Sequence, residues 1–543
     1  MVAGDTGIVV EGSIIDVSLI ATETASIVGG SGIAIKLQTS GSKGIGDNSD
    51  GATVDNAGSI IGDVVFSGSR NANTFTHRKS GSDHSIIDGV IYFGDGFDVF
   101  RNAGIVDAST DLSMVFSGLE TFSNAGEIRL LNGQVNDIFE IAHDFVGETG
   151  SRLSIDVDMS SGTADTLKIT GVVSGQTEVS LNSLQPGINT DNTVRIVEVV
   201  GDAGVVSADA FILAEDSREI GLFLYELENI DTAKGDDFIL SRATQGASVK
   251  AGEVSMIQGG LHQLFLRAIP TYHEREGGRQ LLTADGYSAW VTLLSDKTKT
   301  DGSTGTMELD VQTLLAGVEK GIGDWTLGAY MGGHNGDSSF ELGGDVELNG
   351  YTLGVYANIT AEQWYVDLAI EAQQSDIEYD SNDARIGDMK VDALLAGLAL
   401  ETGMTIVHNE RYNLIATGRY LYGQTQISDL GELQGESVDF GEGKNERLEA
   451  GLRWEHEQRL AQGRRLAWSL EGSVKHTLQD DSSSRIAGNV IVDGFDSSDT
   501  WGQLGIGLAV ETRETEVAFI RLHGLVGGNR SGGGAVLGYR LSF

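Results

Sequence analysis

From about residue 284 to Phe543 the chain is a succession of segments that alternate apolar and polar residues, and the polar face carries charges of both signs. The clearest segment is 445–456. There Leu448, Ala450, Leu452 and Trp454 share one face, and Arg447, Glu449, Arg453 and Glu455 share the other. Successive side chains of a strand point to opposite faces, so this pattern is a strand with one greasy and one charged side. A soluble sandwich would bury the apolar set, but its outer face would not usually be a ladder of both charges. A closed barrel in lipid explains both faces, because backbone polar groups in a bilayer demand a sheet without edges and a wet lumen accepts the charges.

The pattern recurs along the segment. Trp364, Val366, Leu368 and Ile370 oppose Asp367, Glu371 and Gln373. Tyr351, Leu353, Val355, Ala357 and Ile359 oppose Thr352, Tyr356 and Asn358, and Trp468, Leu470 and Val474 oppose Ser469, Glu471, Ser473 and Lys475. Strands are expected at 287–298, 305–319, 324–335, 347–360, 363–377, 388–402, 411–426, 443–458, 465–478, 499–512, 515–527 and 533–543. Twelve is an even number, as single-chain bacterial barrels require. Arg447, Glu449, Arg453, Glu455, Asp367 and Glu371 are expected to face the lumen. Trp290, Trp325, Trp364, Tyr412, Tyr420 and Tyr422 suit the aromatic girdles at the two membrane surfaces. In the last strand Phe543, Leu541, Tyr539, Leu537 and Ala535 form one face, and Ser542, Arg540 and Gly538 the other.

Composition agrees with an exported β-protein. Of 543 residues only two are Pro and none is Cys, which removes thiolate metal sites and a disulfide framework. The formal charge is −43. Residues 1–250 hold 14 basic and 36 acidic side chains, a net of −22. Binding to a phosphate backbone needs a basic face, so nucleic acid is not an expected partner. No apolar run reaches the length of a membrane-crossing helix. Met1–Asp5 lacks the basic and apolar stretches of an export signal, as expected of a processed fragment of an exported chain.

One helix is expected, over 247–268. Val254, Ile257, Leu261, Leu264, Phe265 and Ala268 recur at three- and four-residue steps, and Pro270 follows as a stop. Standing directly before the first barrel strand, it is expected to thread the lumen. Glu274 and Glu276 flank Arg275 just beyond it, by default an exposed, mutually paired run.

Upstream, Asn-Ala-Gly occurs at 56–58, 102–104 and 124–126, and Phe75, Phe100 and Phe122 stand at similar places in successive units of about 22–26 residues. Such a unit cannot bury its own apolar face. Stacking buries it, which gives a parallel β-helix, with a β-sandwich as the alternative for this half. A stack needs a cover over its last open strand. Leu167, Ile169, Val172, Val179, Leu181, Ile196, Val197, Val199, Phe223 and Leu224 are the apolar positions expected to supply it.

Together, the terminal strand ending in Phe543, the helix before the barrel, and the runs Asp165-Thr-Leu-Lys-Ile-Thr-Gly171, Val194-Arg-Ile-Val-Glu-Val-Val200 and Gly221-Leu-Phe-Leu-Tyr-Glu-Leu227 resemble type Va autotransporters. The upstream runs are similar to the pertactin-like cap, or autochaperone region, of the exported passenger. The resemblance implies an all-β chain with four parts: a passenger β-helix stem over 1–150, a cap over 151–243, a linker helix over 244–283, and a twelve-stranded translocator barrel over 284–543. It implies that Phe543, Leu541, Tyr539 and Leu537 form the signal read by the barrel-assembly machinery. The implied partners are outer-membrane lipid, that machinery, periplasmic chaperones and a host or cell-surface ligand. The implied location is a Gram-negative outer membrane with the passenger on the cell surface. Members that cleave themselves use an Asn pair in the linker helix; 247–268 contains no Asn, so that route is not expected here.

No enzymatic constellation is legible and no cofactor is expected. Gly336-Asp337-Ser338-Ser339 is part of a serine-nucleophile pattern without the glycines that should follow, and it is expected in a barrel loop. The ten His residues show no His-Glu-x-x-His spacing. Gly94-Asp-Gly-Phe-Asp-Val-Phe100 fits the core of a calcium-binding nonapeptide, but no second repeat stands beside it, and a Gly/Asp turn is the expected role. Two function classes therefore remain. One is a translocator whose passenger is an adhesin or stalk; the other is the same translocator carrying an upstream protease or esterase. A porin-like channel with an N-terminal plug is disfavoured by the helix and the cap runs.

Overall fold

In a computed structural model the described residues are 6–12, 18–39, 50–67, 72–79, 86–109, 113–185, 193–200, 206–232, 235–276, 286–302, 305–341, 343–382, 386–409, 412–427, 433, 437–460, 464–486, 490–495, 499–513 and 515–543. The chain divides into two compact units, Met1–Gly246 and Ala247–Phe543.

The first unit is a parallel β-solenoid with three sheets. Register fixes its coil length. Phe75 pairs with Phe100, Phe100 with Phe122, and Phe122 with Phe145, so successive coils stack at steps of 25, 22 and 23 residues. These rings are fully buried and lie 4.9–5.9 Å apart by centroid, a continuous aromatic spine. The Asn of each Asn-Ala-Gly turn is buried beside them. Asn102 donates to Asn124 Oδ1 at 2.7 Å, and Asn124 donates to Ser151 at 2.8 Å. Gly58 and Gly104 each donate their backbone N–H back to the Asn two residues before. His77 takes the place of an Asn in one coil, 3.0 Å from Asn56. The amide column satisfies backbone groups at a corner that the sheet ladders cannot reach.

The boundary expected at 150/151 falls inside the stack. Arg152–Asp158 pairs in parallel with Glu127–Leu130 and with Thr177–Gln185, and Leu167 and Ile169 pair in parallel with Val197 and Val199. Leu167, Ile169, Ile196, Val197 and Val199 are therefore buried coil residues. Val172, expected in the same apolar set, is instead 46% exposed. Direction changes later. Gly235–Ala247 lies antiparallel on Val194–Val200, with Phe223–Thr232 beside it and Glu219–Ile220 folded back on Phe223. Phe238 from this cover meets Phe211 edge to face, with ring centroids 4.9 Å apart.

The second unit is a closed antiparallel barrel of twelve strands. They are β1 (Tyr287–Asp301), β2 (Thr306–Ile322), β3 (Trp325–Phe340), β4 (Asp345–Thr360), β5 (Trp364–Asp380), β6 (Asp388–His408), β7 (Tyr412–Ile427), β8 (Glu442–Arg459), β9 (Arg465–Asp480), β10 (Thr500–Arg513), β11 (Glu516–Val526) and β12 (Arg530–Ser542). β12 closes the ring on β1, with Leu541 opposite Ala289 and Tyr539 opposite Val291. At one end the strands are joined by turns of two to five residues; at the other the connections reach nineteen residues and carry a small three-stranded sheet. Leu353, Ile370, Leu452, Leu470 and Ile506 are all more than half exposed on the outside. A continuous exposed apolar wall of this kind is a surface for lipid.

Two expectations fail in the barrel. Gly336–Ser339 lies within β3, not in a loop, because β3 runs several residues beyond its expected end, paired with β2 and β4. Trp290 is not in a girdle: it points into the lumen, 3% exposed, and donates to Tyr356 Oη at 2.8 Å. Gly317 makes room for it, since a Cβ there would stand 2.3 Å from the indole ring. Trp325, Trp364 and Tyr412 remain on the outer surface, while Tyr420 and Tyr422 are half-buried.

Candidate functional site

The lumen is occupied by the chain itself. Helix α1 (Val249–Ala268) begins at Ser248, whose hydroxyl accepts the N–H of Ala251 at 3.1 Å, a side-chain cap on the first turn. It is buried almost all round: Val254, Ile257, Leu261, Leu264 and Phe265, read as one face, are joined by Glu253, Gln258 and His262. A helix enclosed by a barrel has no solvent face, and this is why its polar residues each find a wall partner. Lys250 reaches the carbonyl of Ser381 at 3.4 Å, Ser255 meets Ser484, and Gln258 donates to Phe440 O at 3.2 Å. His262 Nδ1 lies 2.9 Å from Asp480 Oδ1. Ser381, Phe440 and Ser484 belong to the long connections, so the helix enters at that end. Phe265 packs flat on the wall, where a Cβ on Gly397 would come within 2.6 Å of its ring.

Beyond Pro270 a second short helix, α2 (Tyr272–Glu276), lies in the lumen toward the end with short turns. The exposed run expected here is instead buried: Glu274, Arg275 and Glu276 are 7%, 1% and 6% exposed. Its residues are tied to strands far apart in the ring. Tyr272 stacks on Tyr365 of β5 at 4.3 Å. The carbonyl of His273 accepts from Arg521 of β11 at 2.6 Å. Arg275 pairs with Asp367 of β5 and lies over the Tyr356 ring at 4.1 Å. Glu276 receives Arg540 of β12 at 3.0 Å, and Arg540 also pairs with Glu319 of β2. Arg540 thus ties the closing strand to β2, one strand beyond the seam partner β1, and to the linker. Sequence reasoning missed this cluster. The available signal was position, since a run between a lumen-threading helix and the first strand is enclosed with it.

The six residues expected to face the lumen all line it. Arg453 is held by Glu455 at 2.7 Å and Glu471 at 3.1 Å. Glu371 accepts from Tyr330 Oη at 2.6 Å, and Arg447 and Glu449 approach to 3.7 Å. On β12, Leu537, Tyr539 and Leu541 face outward, as does Phe543 just beyond it, which stacks on Tyr287 at 6.3 Å.

In the solenoid, Asp98 of the calcium-like run is held by protein donors through one of its carboxylate oxygens. Its Oδ1 accepts the N–H of Asn73 at 2.6 Å and the Asn73 side chain at 2.9 Å. Among the described residues no group of three or more acidic or His side chains is placed to hold a metal.

A plugged, twelve-stranded barrel with both ends of its sheet joined through Tyr287 and Phe543 can now be set beside known proteins. The autotransporter β-domain family matches residues 289–518, from β1 into β11. The barrel is an autotransporter β-domain. As such it is an outer-membrane β-barrel, crossing with strands; among the described residues no helix is long and apolar enough to cross. The chain is similar to the β domain of the Bordetella autotransporter BrkA, with 16% identity over 48% of this chain and 100% of that one, at a TM-score of 0.41. It is similar to the translocator domain of NalP from Neisseria meningitidis, with 15% identity over 54% and 97%, at 0.39. The transport unit of AIDA-I from Escherichia coli gives 14% identity over 53% and 98%, at 0.41. None of the curated proteins matches the chain. The assignment of the autotransporter barrel stands on the family match and on the geometry above.

Proposed function

We propose that the barrel carries its own N-terminal solenoid across the outer membrane and then anchors it at the cell surface, the solenoid serving as an adhesin stem or stalk. The observation that carries this reading is the direction of α1. The chain enters the lumen at the end with long connections, and in outer-membrane barrels long loops lie outside the cell. Among the described residues nothing in the barrel resembles a nucleotide site, so folding of coils outside is the natural source of directionality. The buried partners of α1 favour a linker that stays in place. The stacked, salt-bridged outer faces of the solenoid, such as Arg152 with Glu178 at 3.1 Å, suit a non-enzymatic surface stem. The barrel-assembly machinery would read the Leu537, Tyr539, Leu541 and Phe543 face, with periplasmic chaperones holding the chain beforehand.

Proteinase K on intact cells tests the reading. Antibody to the solenoid should lose its signal while the barrel resists. A solenoid that stays protected until the outer membrane is permeabilised would overturn surface export. Phe543→Ser with Tyr539→Ser should reduce the heat-modifiable, folded barrel in the same cells.

A further inference from the structure

The positive charges facing the lumen are segregated. Among the described residues, β1–β6 contribute Asp296, Glu319, Asp367, Glu371 and Glu401 to the interior, and no inward Lys or Arg. Strands β7–β12 supply the inward Arg419, Arg447, Arg453, Lys475, Arg521, Arg530 and Arg540, interleaved with Glu449, Glu455, Glu471 and Asp480. The helices leave a pocket of about 90 Å³ on that side, bounded by Arg267, His273 and Glu274 and by strands β6–β12.

Two of the cations around it are fully engaged: Arg267 by Glu274 at 3.1 Å and Asp296 at 2.9 Å, and Arg453 by its two glutamates. Four others are not. Arg419 donates to the Ile269 carbonyl at 2.8 Å but comes no nearer than 3.7 Å to Glu401. Arg447 stands 3.7 Å from Glu449, and Lys475 shares that same carboxylate at 3.3 Å. Arg521 donates to a backbone carbonyl. Glu401 is already used by Tyr365 Oη at 2.8 Å and the Tyr272 N–H at 3.3 Å. Arg419 Nε and Arg447 Nε are buried without a hydrogen-bond partner. Arg419, Arg447 and Lys475 thus share two carboxylates, Glu401 and Glu449, while Arg521 shares Glu471, Glu274 and Glu455 with Arg453 and Arg267. The two Nε donors left without acceptors beside the cavity are costly.

We infer that this chamber is a binding site for one small oxyanion, phosphate or carboxylate, held between Arg419, Arg447, Lys475 and Arg521. The space would take about three waters or one tetrahedral anion of similar size. Planar, forked guanidinium groups match oxyanion geometry, and Lys475 adds a point charge. The inference does not depend on export, although an acidic chain in transit would present the same carboxylate chemistry.

Calorimetric titration of the full chain, folded in detergent, with sodium phosphate and separately with sodium acetate at constant ionic strength tests it. One saturable site is expected, weakened tenfold or more in Lys475→Gln/Arg521→Gln. Arg513→Gln, on an outer side chain that is 77% exposed, should leave it unchanged. Phosphate binding alone would identify free phosphate as the occupant; binding of both would admit carboxylates of a passing chain. Absence of saturable binding to the unmutated chain, or equal affinity in the double variant, would overturn the site. If the double variant fails to fold, the unmutated barrel decides: phosphate should raise its gel-mobility transition temperature above that in chloride, and no rise counts against the site.

Discussion

In the solenoid, Phe75, Phe100, Phe122 and Phe145 point inward and stack, while charged residues such as Arg152 and Glu178 pair on the surface. In the barrel, Leu452, Leu470 and Ile506 point outward, and Arg275, Asp367, Arg453 and Arg540 are the buried ones. The same two-residue alternation serves both units with its sense reversed. The solenoid excludes water, so the polar groups it buries are mostly neutral amides and hydroxyls that satisfy each other coil by coil. The barrel encloses a polar lumen, so its interior tolerates ions, provided each finds a counter-ion on the wall or the linker. Alternation shows that a strand has two unlike faces; only the character of the polar face shows which one is inside.

Substitutions that remove the inward group of each unit should break this contrast unequally. Phe122→Ala in the middle of the aromatic spine should cost about 3–5 kcal/mol, because no neighbouring coil can close over the cavity. Leu470→Ala on the outer wall should cost far less, since lipid replaces the lost contacts. All six tryptophans lie at or after Trp290, so tryptophan fluorescence follows the barrel alone, whereas far-ultraviolet dichroism also sees the solenoid. Phe122→Ala should move an early dichroic transition and leave the fluorescence transition in place. Coincident movement of both would mean that the units unfold together.

Asp367→Ala should act on the barrel in the opposite sense. It leaves Arg275 buried beneath Tyr356 without its carboxylate, a loss of about 3 kcal/mol for breaking a buried pair. The heat-modifiable gel transition should fall while the early dichroic transition stays. Smaller again is Asn124→Ala, which removes a donor to Ser151 and the acceptor for Asn102. About 1–3 kcal/mol is expected, read as earlier loss of the solenoid's dichroism. An unchanged midpoint would show that water takes over the corner.

The barrel was legible almost in full because lipid imposes a strict rule: every strand must alternate and every edge must be paired. All twelve strands lie where alternation placed them, with ends shifted by up to six residues, as where β6 runs on to His408. The solenoid was legible through Asn-Ala-Gly and the recurring Phe, each of which has a stacking reason. Its His77 coil was not, since a His substituting for Asn breaks the motif while keeping the contact. The lumen cluster was the least legible part. Arg275–Asp367, Arg540–Glu276 and Arg540–Glu319 join residues 92, 264 and 221 positions apart, and no local period encodes such pairs. Trp290 misled for a related reason: an aromatic near a strand end suits a girdle, and only the small partner Gly317 reveals that it turns inward.

The finest test of the contrast uses the few carboxyls that the solenoid does bury. Asp165 accepts the N–H of Asp137 and of Asp156, each at 2.9 Å, yet burial, helped by the nearby Asp137 and Asp156 charges, pushes its pKa up to about 7. Burial likewise raises Asp98 to about 6, against the hydrogen bonds from Asn73 and with Glu120 adding to the rise. An unfolded chain returns both to the ordinary range near 4. The folded solenoid therefore binds protons that the unfolded chain has released, and its stability must fall as pH rises through that interval. The contribution is fully present at and below about pH 4 and is lost as pH passes through about 6 and then 7. The early dichroic midpoint should accordingly be higher at pH 5 than at pH 8, by a few degrees for a unit of this size, where each kcal/mol is worth roughly 2–4 °C. Asp165→Asn separates this from a general charge effect. It should flatten the slope, and it should lower the midpoint at both pH values, because an amide can accept only one of the two N–H groups. A wild-type midpoint that is level or rises from pH 5 to pH 8 would mean that these carboxyls stay ionised in the fold, and that the solenoid, like the barrel, tolerates buried charge.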